Sequence, residues 1–342
     1  VRLLVVHPGA SWATADVHTG LCAGLKAQGH DVIEYALDGR LRASQVLLQY
    51  LWRKQARSGG PLADVRPTAA DAQYHASQEA VTRALRHEVD WVLVVCAAYF
   101  HPDAAILLRR AGVPAAVVFT ESPYDDPEQA RVAPLYDVCF TNERTSVPRL
   151  REANPTTYYL PAAYDPATHG PGMNGQAPTH DVVFVGTAFE SREALLSAVD
   201  WTGIDLGLYG FWGHLPPSHP LRPYAHDGVV PNARTGALYR AARIGLNLYR
   251  DPGDQPAESL NPRAYELAAD GVYTVSQSRA EVRDKFGALV PVFRTAPYLE
   301  GIIRDRLANH EESREVSRLL PGRVAEDTYH HRAAQLVAHL AS

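Results

Sequence analysis

The chain of 342 residues lacks several signatures that would settle its chemistry at once. It has no D-x-D pair for holding a divalent ion against a diphosphate, no G-x-x-x-x-G-K-[ST] phosphate loop, no H-E-x-x-H zinc helix and no G-x-S-x-G nucleophile elbow. The patterned forms of P-loop, zincin and serine-hydrolase catalysis are thereby disfavoured. Its first apolar run, RLLVVH, leads into HPGASWA rather than G-x-G-x-x-G, which argues against a dinucleotide oxidoreductase. His330 and His331 lack companion cysteines and read as a helix-surface pair, so no metal ligands are assigned. Cysteine is scarce. Cys22, Cys96 and Cys139 lie far apart inside apolar segments, as buried thiols do in a reducing, cytoplasmic setting. No apolar run approaches the roughly 20 residues of a membrane span, and VRLLVV is too short for a signal-peptide core.

With 46% hydrophobic and 21% charged residues, the composition is that of an ordinary globular protein. A net charge of −5 argues against a protein built mainly to coat nucleic acid. One stretch departs from that balance. RLRASQVLLQYLWRKQAR carries Arg40, Arg42, Arg53, Lys54 and Arg57 with Tyr50 and Trp52 and no acid. It reads as an amphipathic helix with a solvated basic face, or as an acceptor-side surface for a polyanion.

The length suits two domains. From residue 1 to 162, short apolar runs (RLLVVH, DVIEYAL, DWVLVVCA, PAAVVFTE, YDVCFTN) alternate with helical stretches, as a parallel sheet with crossover helices requires. PAAYDPATHGPGMNGQAPT, rich in proline and glycine, reads as an interdomain connection. The alternation restarts at HDVVFVG, giving a second doubly wound domain over 163–323 and a final helix over 324–342. Such domains bind ligands beyond their strand ends, so the chemistry is expected in a cleft between the two.

The most informative stretch is ESLNPRAYELAADG, Glu258 to Gly271. Asn261 suits the cap of a helix, Pro262 its first position and Gly271 the left-handed residue past its end. The amino end of that helix makes an anion site fit for a diphosphate, with Arg263 in reach of a phosphate oxygen. Glu266, one turn in, would repel phosphate and is better used accepting bonds from ribose hydroxyls, with Glu258 at the sugar end. The plainer alternative makes Glu258 a loop residue, Glu266 a residue favoured by the helix dipole and Arg263 a partner of either.

The spacing of Glu258 and Glu266, followed by LAADG and a strand, resembles the E-x7-E element of GT-B glycosyltransferases. SLNPRAYELAADGVYTVSQ resembles the corresponding segment of the CgeB-like spore-maturation glycosyltransferases more closely. TESPYDD, YDVCFTNERTSVPRLRE, YYLPAAYDP, HDVVFVG and LYRAARIGLNLYRD agree in order. The resemblance implies two Rossmann-like domains facing across a cleft, with the last helix crossing back to pack on the first. It also implies transfer of a sugar, hexosyl or pentosyl, from a nucleotide diphosphate donor, expected to be a UDP-sugar, with no tightly bound cofactor. Glu266 would hold the ribose, Glu258 the donor sugar and the helix N-terminus the diphosphate.

Further contacts are expected from Gly186 and Thr187, where a small residue at a strand end lets backbone approach phosphate, and from the extended Val230-Pro231, which resembles the base-lining segment of this fold. Asn247 and Tyr249 would line the same cleft, or Tyr249 would be packing. On the acceptor side, Asp16 would serve as base or simply cap the first helix, His18 follows it, and His101 and Glu121 would close strands on the cleft side. The acceptor is left open among glycans, proteins, small molecules and hydroxylated bases in DNA. A nucleotide-sugar epimerase of the same architecture and a non-catalytic nucleotide- or nucleic-acid-binding protein remain alternatives.

Overall fold

A computed structural model describes residues 1–9, 14–171, 179–228 and 230–341, without the side chains of residues 227 and 232. Parts of the loop after the first strand (10–13) and of the interdomain connection (172–178), and Val229, lie outside the described residues. The chain divides into two compact units, Val1–Pro161 with His330–Ser342, and Ala162–Tyr329.

In the first unit β1 (Arg2–His7), α1 (Ala15–Ala27), β2 (Asp31–Ala36), α2 (Asp38–Arg57), α3 (Ala69–Arg86), β3 (Trp91–Val95), α4 (Pro102–Arg110), β4 (Ala115–Phe119), α5 (Asp126–Val132), β5 (Val138–Thr141), α6 (Val147–Ala153) and β6 (Thr157–Tyr159) follow in order. The sheet order is β2-β1-β3-β4-β5-β6, every pair parallel. Residues of β3 and β4 are buried almost without interruption because helices cover both sheet faces. Thr68 and Asp71 form a reciprocal capping box at the start of α3.

The second unit runs β7 (His180–Val185), α7 (Glu190–Ser197), β8 (Leu206–Gly210), β9 (Ala225–Asp227), α8 (Asn232–Arg240), β10 (Ala242–Asn247), α9 (Pro262–Ala269), β11 (Tyr273–Gln277), α10 (Ala280–Phe286), β12 (Val292–Phe293), α11 (Ala296–Ala308), α12 (His310–Ser317) and α13 (Leu320–Arg323). Its sheet is again parallel, in the order β12-β11-β10-β7-β8-β9. The order reverses direction between β7 and β10, the switch point at which doubly wound sheets bind ligands.

The final helix, α14 (Tyr329–Leu340), begins later than Val324. Val324 is fully buried in the second unit's core with Tyr265 and Leu320, so it ends that unit rather than opening the helix. From His330 onward the chain belongs to the first unit, where the backbone carbonyl of His330 accepts from Gln28 Nε2 at 2.8 Å and His339 stacks on Tyr158 with ring centroids 3.8 Å apart.

In α2 the basic stretch presents a mixed outer surface, with Val46, Leu47, Tyr50 and Leu51 exposed beside its cations. Trp52 does not join them, because its indole N–H donates inward to the Ala63 carbonyl at 2.9 Å. Among the described residues no helix is long and apolar enough to cross a membrane, and the three cysteines are buried free thiols.

Candidate functional site

Just beyond the switch point of the second sheet, α9 starts as its sequence requires. Asn261 is extended and its side chain accepts from the Ala264 N–H at 3.2 Å, while its amide donates to the Leu248 carbonyl at 3.2 Å. Pro262 takes the first helical position and Gly271, at φ +65°, the left-handed place past the end. Arg263 bridges the two central strands. Its Nε donates to the Val185 carbonyl closing β7 at 2.8 Å, and its Nη1 donates to the Leu248 carbonyl just past β10 at 3.0 Å. The guanidinium lies over the Phe184 ring, 4.6 Å from its centroid. Two of its nitrogens thus fix the group, and Nη2 has no hydrogen-bond partner among the described residues. A guanidinium held in place at a helix amino end, with donors to spare, is an arrangement suited to a phosphate oxygen.

Gly186 has a different role from the one expected. Its N–H is already spent on the Tyr209 carbonyl at 2.8 Å, so it does not offer that donor to a phosphate. What it supplies is space, because a Cβ there would sit 2.5 Å from Arg263 Nη2 and 3.0 Å from Phe184 Cζ. Gly186→Ala is therefore expected to displace the guanidinium and cost about 1–3 kcal/mol of stability. Chemical denaturation beside a UDP titration checks this, and an alanine variant with unchanged stability and affinity would disprove the steric account.

Glu266 is 8% exposed and its Oε2 accepts from the Tyr239 hydroxyl at 3.2 Å. Burial above all, and then the charge of Glu266, pushes the Tyr239 hydroxyl well above its ordinary range, so it remains a donor. Behind this pair lies a polar cluster that sequence reasoning did not find. Asp270, at the end of α9, has a fully buried side chain. It receives the Arg240 guanidinium and the Gly170 N–H, the latter at 3.0 Å, and lies 2.8 Å from His169 Nδ1. Burial, the largest influence, pulls His169 below its ordinary 6.5. The bond to Asp270 and the charges of Glu266 and Asp270 outweigh it and leave the imidazole raised. Asp270 lies within the quoted LAADG, but His169 sits in the proline- and glycine-rich connection, where no periodicity marks it.

The other expected donor residues are mixed. Thr187 is exposed, and its carbonyl accepts from Arg192 Nη1 at 2.9 Å. Val230 is half-buried against the cluster holding Val185, Tyr239 and Leu267, and Pro231 is extended ahead of α8 as anticipated. Glu258 is half-buried, its carbonyl accepting from the Glu281 N–H at 3.1 Å. Asn247 and Tyr249 are internal: the Asn247 amide donates to the Tyr249 and Ser276 hydroxyls at 3.0 Å, and Tyr249 packs in the core beneath Arg279.

In the first unit, the helix cap is Thr14 rather than Asp16, which lies in the first turn of α1. His18 stacks on His7, ring centroids 3.8 Å apart; both are buried and lowered by that burial, His7 to about 4, so the pair is neutral near pH 7. His101 does not close a strand. β3 ends at Val95, Cys96 turns the chain at φ +63°, and His101 caps α4, its Nδ1 accepting from the Asp103 N–H at 3.2 Å. His101 and Glu121 nevertheless share one pocket of about 580 Å³ at the ends of β3 and β4. Among the described residues no group of three or more His, Cys, Asp or Glu is disposed to hold a metal.

Comparison with solved structures places this architecture. The chain superposes along 99% of its length on 99% of an E. coli trehalose-6-phosphate structure bound with UDP-2-fluoro glucose, with a TM-score of 0.61 at 12% identity. The fold is GT-B. AviGT4, a glycosyltransferase involved in avilamycin A biosynthesis, shares the GT-B fold over 99% of this chain and 97% of its own, with a TM-score of 0.58 at 17% identity. A putative UDP-N-acetylglucosamine 2-epimerase from Listeria monocytogenes does so over 100% and 96%, with a TM-score of 0.61 at 11% identity. A family model described as glycosyl transferase-like matches residues 191–338, which include α9. No curated protein matches the chain in sequence.

Proposed function

We propose that the protein is a glycosyltransferase that takes its sugar from a nucleotide diphosphate donor held by the second unit. The observation that carries this is Arg263, fixed at the switch point by two strand-end carbonyls with Nη2 left over, one helical turn from the buried carboxylate of Glu266. Arg263 and the amino end of α9 would neutralise the diphosphate, and Glu266 would accept from the ribose hydroxyls. Glu258, on the loop before the helix, is the candidate for the sugar. In the reaction the bond between the anomeric carbon and the diphosphate oxygen breaks, and its electron pair leaves with the nucleotide. The acceptor oxygen bonds to that carbon and gives up its proton, with Asp16 as the first-unit candidate to receive it and His101 as a candidate to touch the sugar.

The glycosyl transferase-like match over 191–338 supports this reading, and the UDP-sugar analogue in an E. coli structure of the same fold favours a UDP-linked donor. Three buried thiols support a reducing, cytoplasmic setting. A thermal-shift panel of nucleotide diphosphate sugars is the direct test, since a ligand at 100 times its Kd stabilises by about 2.7 kcal/mol. The expected result is a clear upward shift with one UDP-sugar. No shift with any member of the panel would refute the proposal.

The epimerase-like neighbour keeps one competing reading in view. Incubation with donor alone separates the two. An epimerase converts the donor to a second nucleotide sugar without acceptor, whereas a transferase leaves it unconverted.

A further inference from the structure

The helix α2 commits little of its length to the core. Ser44 is its one buried residue, with the hydroxyl 2.9 Å from His75 Nδ1. With the half-buried Leu41, Leu48 and Trp52, three or four positions apart, it forms the covered stripe of the helix. The opposite stripe, Arg42, Val46, Tyr50, Arg53 and Arg57, is exposed throughout, as are Leu47, Leu51 and Lys54 beside it. The segment that follows extends this surface. The Ala63 carbonyl accepts from the Trp52 indole at 2.9 Å and the Arg66 guanidinium lies over the Trp52 ring, which brings the exposed Leu62 and Val65 alongside the helix. Val46, Leu47, Tyr50, Leu51, Leu62 and Val65 are more than half of the large apolar side chains exposed among the described residues. Gathered in one stretch, they mark a contact surface.

The charge on that surface says what covers it. Arg40 turns inward, over the Tyr35 ring at 4.1 Å and bonded to the Ala36 carbonyl at 2.7 Å. Arg42, Arg53, Lys54 and Arg57 do not, and among the described residues none of the four meets a carboxylate. Residues 39–63 contain no Asp or Glu, in a chain whose net charge is −5. Two copies of the chain joined through this face would set cations against cations, so its occupant supplies negative charge. Nucleic acid has that charge but gives the aliphatic side chains nothing to bury against, and Trp52, which could have stacked on bases, is turned inward. An anionic bilayer satisfies both features. The apolar side chains enter the boundary of the hydrocarbon, and Arg and Lys reach the headgroup phosphates on their long stems. The net negative charge of the whole chain is repelled from such a surface, which selects this face for contact.

We propose that α2 and the segment up to Val65 dock the first unit on an anionic lipid surface, lying on the bilayer rather than crossing it. This goes beyond the glycosyltransferase reading and does not depend on it.

Co-sedimentation of the full chain with vesicles is the test, using phosphatidylcholine alone and phosphatidylcholine mixed with phosphatidylglycerol, with a gel shift on duplex DNA in parallel. The expected result is binding to the anionic vesicles at least roughly tenfold tighter than to the neutral ones, weakening as salt is raised. Arg53→Gln combined with Arg57→Gln should lower the anionic-vesicle affinity by roughly 25-fold, about fivefold for each cation near the surface. Val46→Ser combined with Tyr50→Ser should lower it by roughly tenfold or more at every salt concentration. Both pairs are exposed, so each double variant should keep the melting temperature of the parent. Equal binding to neutral and anionic vesicles, no binding to either, or a serine double variant that binds like the parent would each overturn the proposal. Tighter binding to duplex DNA than to anionic vesicles would overturn it in favour of nucleic acid. A dimer that the serine double variant dissociates would overturn it in favour of a second copy.

Discussion

Replacing Glu266 by Gln is expected to lower affinity for the nucleotide donor by roughly one to two orders of magnitude while leaving the second unit folded. The size follows from the bond that is lost. A hydrogen bond to a charged acceptor contributes about 1.5–3 kcal/mol, and each 1.4 kcal/mol is tenfold in binding. Glutamine keeps the volume of the side chain and an oxygen for the Tyr239 hydroxyl, which now donates to Glu266 Oε2 at 3.2 Å. Alanine would be a poorer probe, since it would strand that buried hydroxyl as well. UDP affinity by calorimetry and donor KM in turnover assays should move together, because the proposed ribose contact would be present in ground and transition states alike. An amide variant that binds UDP as tightly as the parent would take Glu266 out of the site.

The parts of this arrangement that local rules govern were legible in the sequence. Asn261, Pro262 and Gly271 each act within one or two residues of themselves, so the limits of α9 could be read directly. The parallel sheets were legible for a related reason, since strands such as AAVVF are apolar at every position only when both faces are covered. Interactions between distant segments were not. At a strand end Gly186 suggests a place for phosphate to approach backbone, yet the atom it makes room for belongs to Arg263, on another element. The apolar residues that continue through Ala97, Ala98, Tyr99 and Phe100 suggest a strand end at His101. Left-handed Cys96 ends that strand, and nothing in the run of residue types announces it. Tyr249, open in the sequence between cleft lining and packing, is a core side chain, a choice that depends on what the rest of the chain packs against it.

His169 is the plainest case of a long-range feature, and it yields the second large effect. Asp270→Asn is expected to destabilise the second unit by about 3–5 kcal/mol, the usual cost of removing one partner from a buried ion pair. Arg240, whose side chain is only 14% exposed, would lose its counter-charge, and the Gly170 N–H an anionic acceptor. The pH dependence identifies which cation matters beyond Arg240. In the parent protein His169 is raised above its ordinary 6.5, so the folded state binds its proton more tightly than the unfolded chain does. The resulting stabilisation is complete below pH 6.5 and is lost as pH rises through the folded-state value. Without Asp270 burial would dominate and lower His169, and a buried neutral imidazole costs stability as pH falls below 6.5. Parent and variant therefore respond to acid in opposite senses, and the gap between them should be wider at pH 5.5 than at pH 8 in urea denaturation. An equal gap at the two pH values would mean that Asp270 does not hold His169 in its charged form, and that Arg240 alone accounts for the buried carboxylate.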